Sequence, residues 1–218
     1  MKICYLLFLL ANLPLLHAVE CTRYGKSIAD EGWSKQIKRV CLFEGVPVNT
    51  FRSPDSRKLI VADSHGFHLQ IDGSMIAWPE GRNLFPSGSE VAWSPTSSAF
   101  FINYANGSGL DGWTLRVFVL SDSRLIEHQE INKEIVRRFR AAIGCSARAE
   151  DPNVRGLGWS TDGSLIYSFA QSTVNESCGK QGSFRGIVAG LTGEPVREFY
   201  SEIEAKRKFI NLLPYNMR

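Results

Sequence analysis

The chain has 218 residues, a formal net charge of +3 and 22% charged residues. This near balance gives no electrostatic reason to expect nucleic-acid binding, which demands a concentrated basic face. With 44% hydrophobic residues the chain is long enough to bury one sizeable core.

At the N-terminus, Lys2 precedes an apolar run from Ile3 to Leu16, and Ala18 supplies a small residue for cleavage. This is the layout of a secretory signal peptide. A spanning helix needs about 20 apolar residues, and this run is shorter and broken by Asn12 and Pro14. Residues 1–18 are therefore read as a cleaved signal and 19–218 as one domain. Glu20 before Cys21 does not fit a lipid-anchored variant. No later segment is apolar enough to span a bilayer, which places the expected mature protein in the periplasm or outside the cell.

Five cysteines are present, and Cys4 lies in the signal. The other four, Cys21, Cys41, Cys145 and Cys178, are an even number in an exported chain, which suggests two disulfides. Of the three possible pairings, Cys21–Cys41 with Cys145–Cys178 is favoured, because each bridge then staples neighbouring segments. The absence of C-x-x-C speaks against a metal site.

Further along, a turn-plus-strand pattern occurs three times. Its copies start Ser53-Pro54-Asp55-Ser56, Trp93-Ser94-Pro95-Thr96 and Trp159-Ser160-Thr161-Asp162-Gly163. Pro fixes φ early in the turn, while Asp, Ser and Gly accept the tight or left-handed positions that follow. An apolar run rich in β-formers follows each turn. Second strands are predicted at 66–73, 113–120 and 184–191, where apolar residues alternate with a period near two. Third strands are predicted at Ser74 to Trp78, Arg124 to Ile131 and Pro195 to Phe199. Val91-Ala92-Trp93 and Leu157-Gly158-Trp159 predict a further strand leading into the turn. Between the second and third copies lie about 25 extra residues, read as a helical insertion over about 132–156. There Asn132 is the expected cap, Ile135, Val136 and Phe139 the apolar stripe, and Gly144 the stop. A C-terminal helix is predicted from about Glu198 to Leu212, ended by Pro214.

Trp-Ser-Pro-x-Ser and Trp-Ser-Thr-Asp-Gly, each followed by an apolar strand, resemble the W-S-P-D-G repeats of TolB-like and WD40-like β-propellers. The resemblance covers residues 48–199 loosely, with Trp33 to Glu44 as a degenerate first unit. Arg52 stands at the Trp position of the first copy, Thr96 replaces Asp in the second and Thr161 replaces Pro in the third. The resemblance implies an all-β fold, a partial or small propeller-like array of antiparallel sheets with three clear blades or four. The alternative is a β-sandwich. An open array would expose sheet edges and leave room for an oligomer.

Residues that could carry chemistry are few. His65 and His68 are three apart, which places them on opposite faces of a strand and makes them turn and surface residues. The nucleophile elbow, the P-loop and the dinucleotide fingerprint are missing, so no catalytic, cofactor-binding or metal residue is assigned. Paired carboxylates meet in space rather than in sequence, which leaves Asp55, Asp63, Asp111 and Asp162 as candidates, although turn geometry explains Asp55 and Asp162 better. Arg137, Arg138, Arg140 and Arg148 read as a solvated helix face. Asn106-Gly107-Ser108 and Asn175-Glu176-Ser177 match the glycosylation acceptor pattern. The aromatic and glycine-rich stretch 100–113 is a long strand–loop–strand, and loops on a rigid scaffold often carry binding. Tyr104, Asn106, Asp111 and Trp113 are its candidate contact residues. Two function classes follow. The first is a non-enzymatic binding protein of the envelope whose partner is another envelope or secreted protein. The second is a small secreted hydrolase, such as a glycosidase, with carboxylates at a central pocket.

Overall fold

A computed structural model describes residues 22–23, 26–27, 36–42, 48–79, 86–105, 112–122, 124–146, 150–172 and 182–213. The expected signal at 1–18, Trp33, Cys21, Cys178, Asn106, Asp111, Arg148 and Asn175 lie outside them.

The fold is all-β, as expected, with two helices among the described residues. Short strands β1 (Thr22–Arg23) and β2 (Lys26–Ser27) pair with each other, and β3 (Lys38–Arg39) precedes the first large sheet. That sheet is β4 (Asn49–Arg52), β5 (Lys58–Asp63), β6 (Gly66–Ile71) and β7 (Ser74–Ile76). The second is β8 (Glu90–Trp93), β9 (Ala99–Ala105), β10 (Trp113–Ser121) and β11 (Arg124–Glu127), with β3 added beside β8. Helix α1 (Gln129–Ile143) separates it from the third, β12 (Asn153–Trp159), β13 (Leu165–Gln171), β14 (Phe184–Gly190) and β15 (Val196–Tyr200). Helix α2 (Glu202–Lys208) follows. Within each sheet the four strands neighbour one another in chain order and run antiparallel.

One turn chemistry builds all three sheets. Ser53, Ser94 and Ser160 are buried. In each, the backbone N–H donates to the carbonyl five residues on: Ser53 to Lys58 at 2.9 Å, Ser94 to Ala99 at 2.8 Å and Ser160 to Leu165 at 2.9 Å. Each hydroxyl accepts the return bond from that residue's N–H, at 3.0, 3.1 and 3.0 Å. The third residue after each serine takes a left-handed φ, 61° at Ser56, 58° at Ser97 and 71° at Gly163. Glycine adopts that region freely and L-residues with strain.

The sheets stack in chain order. Phe51, Ile60, Phe67 and Leu69 of the first pack against Trp93, Phe100, Ile102 and Phe118 of the second. The opposite face of the second sheet, with Ala92, Phe101, Leu115 and Val117, meets Trp159, Ile166, Ile187 and Val196 of the third, and α1 inserts Ile131, Ile135 and Phe139 there. The far face of the third sheet, with Phe169, Phe184 and Val188, is covered by Ala205, Phe209 and Leu213. A tryptophan marks each sheet junction. Trp93 Nε1 donates to the Phe51 carbonyl at 2.9 Å, and Trp159 Nε1 to the Ala92 carbonyl at 3.1 Å. Both acceptors sit two residues before the turn serine of the preceding sheet, so the junction repeats.

This explains the departure at Arg52. The Trp position faces the preceding sheet. In the first sheet that face lies outermost in the stack, and it shows exposed Thr50, Arg52 and Met75.

Helix boundaries differ from the sequence reading. α1 begins at Gln129, not at Asn132, because β11 ends at Glu127 and the chain turns straight into the helix, with His128 N–H donating to Val117 O at 2.8 Å. Gly144 does end it, at φ 74°. Residues 153–156, included in the predicted insertion, belong to β12. At the C-terminus the predicted helix start falls inside β15. Ser201 caps α2 instead, its hydroxyl accepting from Glu204 N–H while Ser201 N–H donates to Glu204, a capping box. Among the described residues no helix is long and apolar enough to cross a membrane.

Candidate functional site: the hairpin tip at Trp113

The β9–β10 hairpin places Trp113 opposite Ala105 and Tyr104 opposite Thr114. Alternation along the strands therefore sends the two aromatic candidates to opposite faces of the second sheet. Tyr104 joins the core shared with the first sheet. Trp113 turns to the third sheet, where the Arg155 guanidinium carbon lies 3.9 Å from its ring centre. The four sequence candidates are thus not one cluster: Tyr104 and Trp113 are separated, and Asn106 and Asp111 lie outside the described residues.

Trp113 is held from several sides. Asn153 Oδ1 accepts from both Gly112 N–H, at 3.0 Å, and Trp113 N–H, at 2.7 Å. Gly112 has φ 94°, a conformation open chiefly to glycine. Beneath the ring, Arg155 donates to Glu90 Oε1 at 2.5 Å, with the two side chains 14% and 4% exposed. Burial pushes the Arg155 guanidinium below its usual value, and the Glu90 charge opposes this. Asn103 Nδ2 donates to Glu90 Oε2 and to Gly156 O, both at 2.9 Å, while its Oδ1 accepts from Gly156 N–H at 2.6 Å. A hydrogen-bonded polar network in a low-dielectric interior rigidifies what it supports. Trp113 remains half-buried, a large ring at a hairpin tip whose backbone and underside are fixed.

Sequence reasoning missed Glu90, Asn103, Asn153 and Arg155. The usable signal was Asn103, a polar residue interrupting the apolar run Phe100-Phe101-Ile102 in a strand with both faces covered. Glu90 and Arg155 carry no such mark, because their pairing spans two sheets.

Of the carboxylates considered for hydrolysis, the described ones, Asp55, Asp63 and Asp162, are occupied locally. Asp55 accepts from Lys58 and from the Ser53 hydroxyl, which together hold it well below the usual carboxylate range. Asp162 is lowered to about 2 by the Ser160 and Ser164 hydroxyls. Asp63 sits at the β5–β6 tip, where its Oδ1 accepts from His65 N–H at 2.7 Å and lies 3.3 Å from His68 Nε2. His65 precedes β6, so strand alternation does not separate it from His68; both reach the same carboxylate. Among the described residues no group of three or more His, Cys, Asp or Glu side chains is arranged to hold a metal ion. On α1, Glu134 pairs with Arg137 and Arg138, and Arg140 with Asp151.

No family model matches the chain, and no curated protein resembles it in sequence.

Proposed function

We propose that the chain is an exported, non-enzymatic interaction protein of the periplasm or cell envelope, built on a propeller-like array and binding another envelope or secreted protein. The observation that carries this reading is the fixed Trp113. Binding hot spots favour Trp and Arg held in place before the partner arrives, because ordering a loose side chain on binding costs affinity. Trp113 has that order supplied by Asn153, Arg155 and the Glu90–Asn103 network.

Three further observations support the wider reading. The three four-stranded meanders, each with the same serine turn between its first and second strands, agree with the TolB-like or WD40-like resemblance. The even number of cysteines after the signal, Cys21, Cys41, Cys145 and Cys178, agrees with an oxidising compartment and with the pairs Cys21–Cys41 and Cys145–Cys178. The commitment of Asp55 and Asp162 to turn geometry weighs against the glycosidase alternative.

Affinity capture from an envelope extract tests the proposal. The wild-type chain retains a protein that Trp113→Ala releases, while the variant's thermal unfolding stays cooperative. Equal capture by both chains would remove Trp113 from the account. Turnover of a glycoside by the wild type would replace the reading altogether.

A further inference from the structure

The faces of the stack are covered in turn, with one exception among the described residues. The second sheet is enclosed on both sides, and the far face of the third lies under Ala205, Phe209 and Leu213. The outer face of the first sheet shows exposed Thr50, Arg52 and Met75. Strand alternation and register settle what else stands on it. Leu59, Val61 and Asp63 of β5 alternate with buried Ile60 and Ala62. Thr50 and His68 flank Val61, Arg52 and Gln70 flank Leu59, and Met75 stands opposite Gln70.

Two features set this face apart from a solvated one. An antiparallel sheet with one wet face alternates apolar inside with polar outside. Here the central outer positions are aliphatic, Leu59 and Val61, both half-buried, and Met75 near them is 57% exposed. The second feature is the placing of charge. Arg52 stands at the turn end, where it donates to the Ser56 carbonyl at 3.1 Å and meets no carboxylate among the described residues. Asp63 stands at the opposite end, at the β5–β6 tip, where its Oδ1 serves His65 and His68. Four residues of β5, about 13 Å of strand, separate the two levels.

We propose that the outer face of the first sheet is a docking surface for a second copy of this chain. A two-fold axis lying in the plane of contact, across the strands, turns one face onto the other and reverses the strand direction. Centred at Val61, it sets Val61 against Val61 of the second copy. Arg52 of each copy then lies over the Asp63 end of the other, one strand or about 4.8 Å to the side, which an arginine side chain spans. A patch complementary to itself is what an isologous contact requires. The face measures roughly 300 Å² in projection, at the low end of interface sizes, so the dimer is weak and builds up with concentration. Trp113 turns to the third sheet, and its proposed partner is a separate matter.

Sedimentation velocity of the purified protein tests this. The wild type passes from monomer to dimer as concentration is raised about a hundred-fold. Arg52→Glu and Asp63→Lys each place like charges at both ends of the contact and stay monomeric over that range. Mixed in equal amounts the two variants dimerise, because both ends then join opposite charges. If Asp63→Lys does not unfold cooperatively, Met75→Asp on the exposed edge strand takes its place and abolishes the wild-type dimer. A wild type that stays monomeric overturns the proposal. So does a dimer that Arg52→Glu and Met75→Asp leave unchanged, or a mixture of the folded charge variants that remains monomeric.

Discussion

Ser94 is fully buried, and its hydroxyl is the acceptor that Ala99 N–H needs. Removing one partner of a buried hydrogen bond strands the other, at about 1–3 kcal/mol. Ser94→Ala is therefore expected to lower unfolding stability by that amount in urea titration, and Ser160→Ala, at 9% exposure against 0% for Ser94, by less. Asp162 adds a pH signature. Its carboxyl is lowered from 3.8 to about 2, so the folded state favours the ionised form. Its contribution is complete above pH about 4 and fades as pH falls toward about 2. In Asp162→Asn the acid unfolding curve becomes shallower in that window; an unchanged slope would show that the Ser160 and Ser164 bonds carry no stability. These turn residues were legible in the sequence because their chemistry is local. The Glu90–Arg155 pair was not, since 65 residues separate its members. Arg155→Met is expected to cost about 3–5 kcal/mol, because breaking a buried pair leaves the Glu90 charge buried without its cation; chemical denaturation measures it.

Among the elements, the strands followed the sequence closely and the helix ends did not. Period-two alternation marks a strand over its whole length, whereas a helix start is fixed by one cap and by what the preceding strand does. Asn132 looked like a cap, but β11 delivers the chain to His128 and the helix begins there. Ser201 carried the signature of a capping box with Glu204, yet the apolar pattern drew the predicted start into β15. The packing of α2 has one tight point. A Cβ added at Gly186 would lie 2.5 Å from Ala205 Cβ and 2.7 Å from the Phe209 ring. Overpacking of this kind costs about 1–3 kcal/mol. Gly186→Ala is expected to loosen α2 from the third sheet, seen as faster exchange of the Ala205 and Phe209 amides while the amides of β5 keep their protection. Unchanged exchange in α2 would show that the helix shifts without loss.

At the scale of the molecule, three sheets with the same turn are joined by two tryptophan indoles and an α-helical wedge. The repeats were legible because identical turns need similar residues. The ends of the stack were less so. Arg52 read as a degenerate motif, and the stack shows it as the Trp position of a sheet with an exposed outer face. The covering of the opposite end by α2 required knowing which face β14 turns outward. If both bridges form as proposed, reduction lowers stability by about 2–4 kcal/mol for each, and thiol labelling of the native protein finds no reactive cysteine among the four; four reactive thiols would refute the pairing. The most direct test of the stack is native-state hydrogen exchange at the indole N–H groups of Trp93 and Trp159, read beside the amides of Ile102 and Ile187. The account predicts that both indoles open with the same free energy as the strand amides of the sheets they join, as one cooperative body. Indoles that exchange freely while those strand amides stay protected would mean that the sheets are not joined at these junctions.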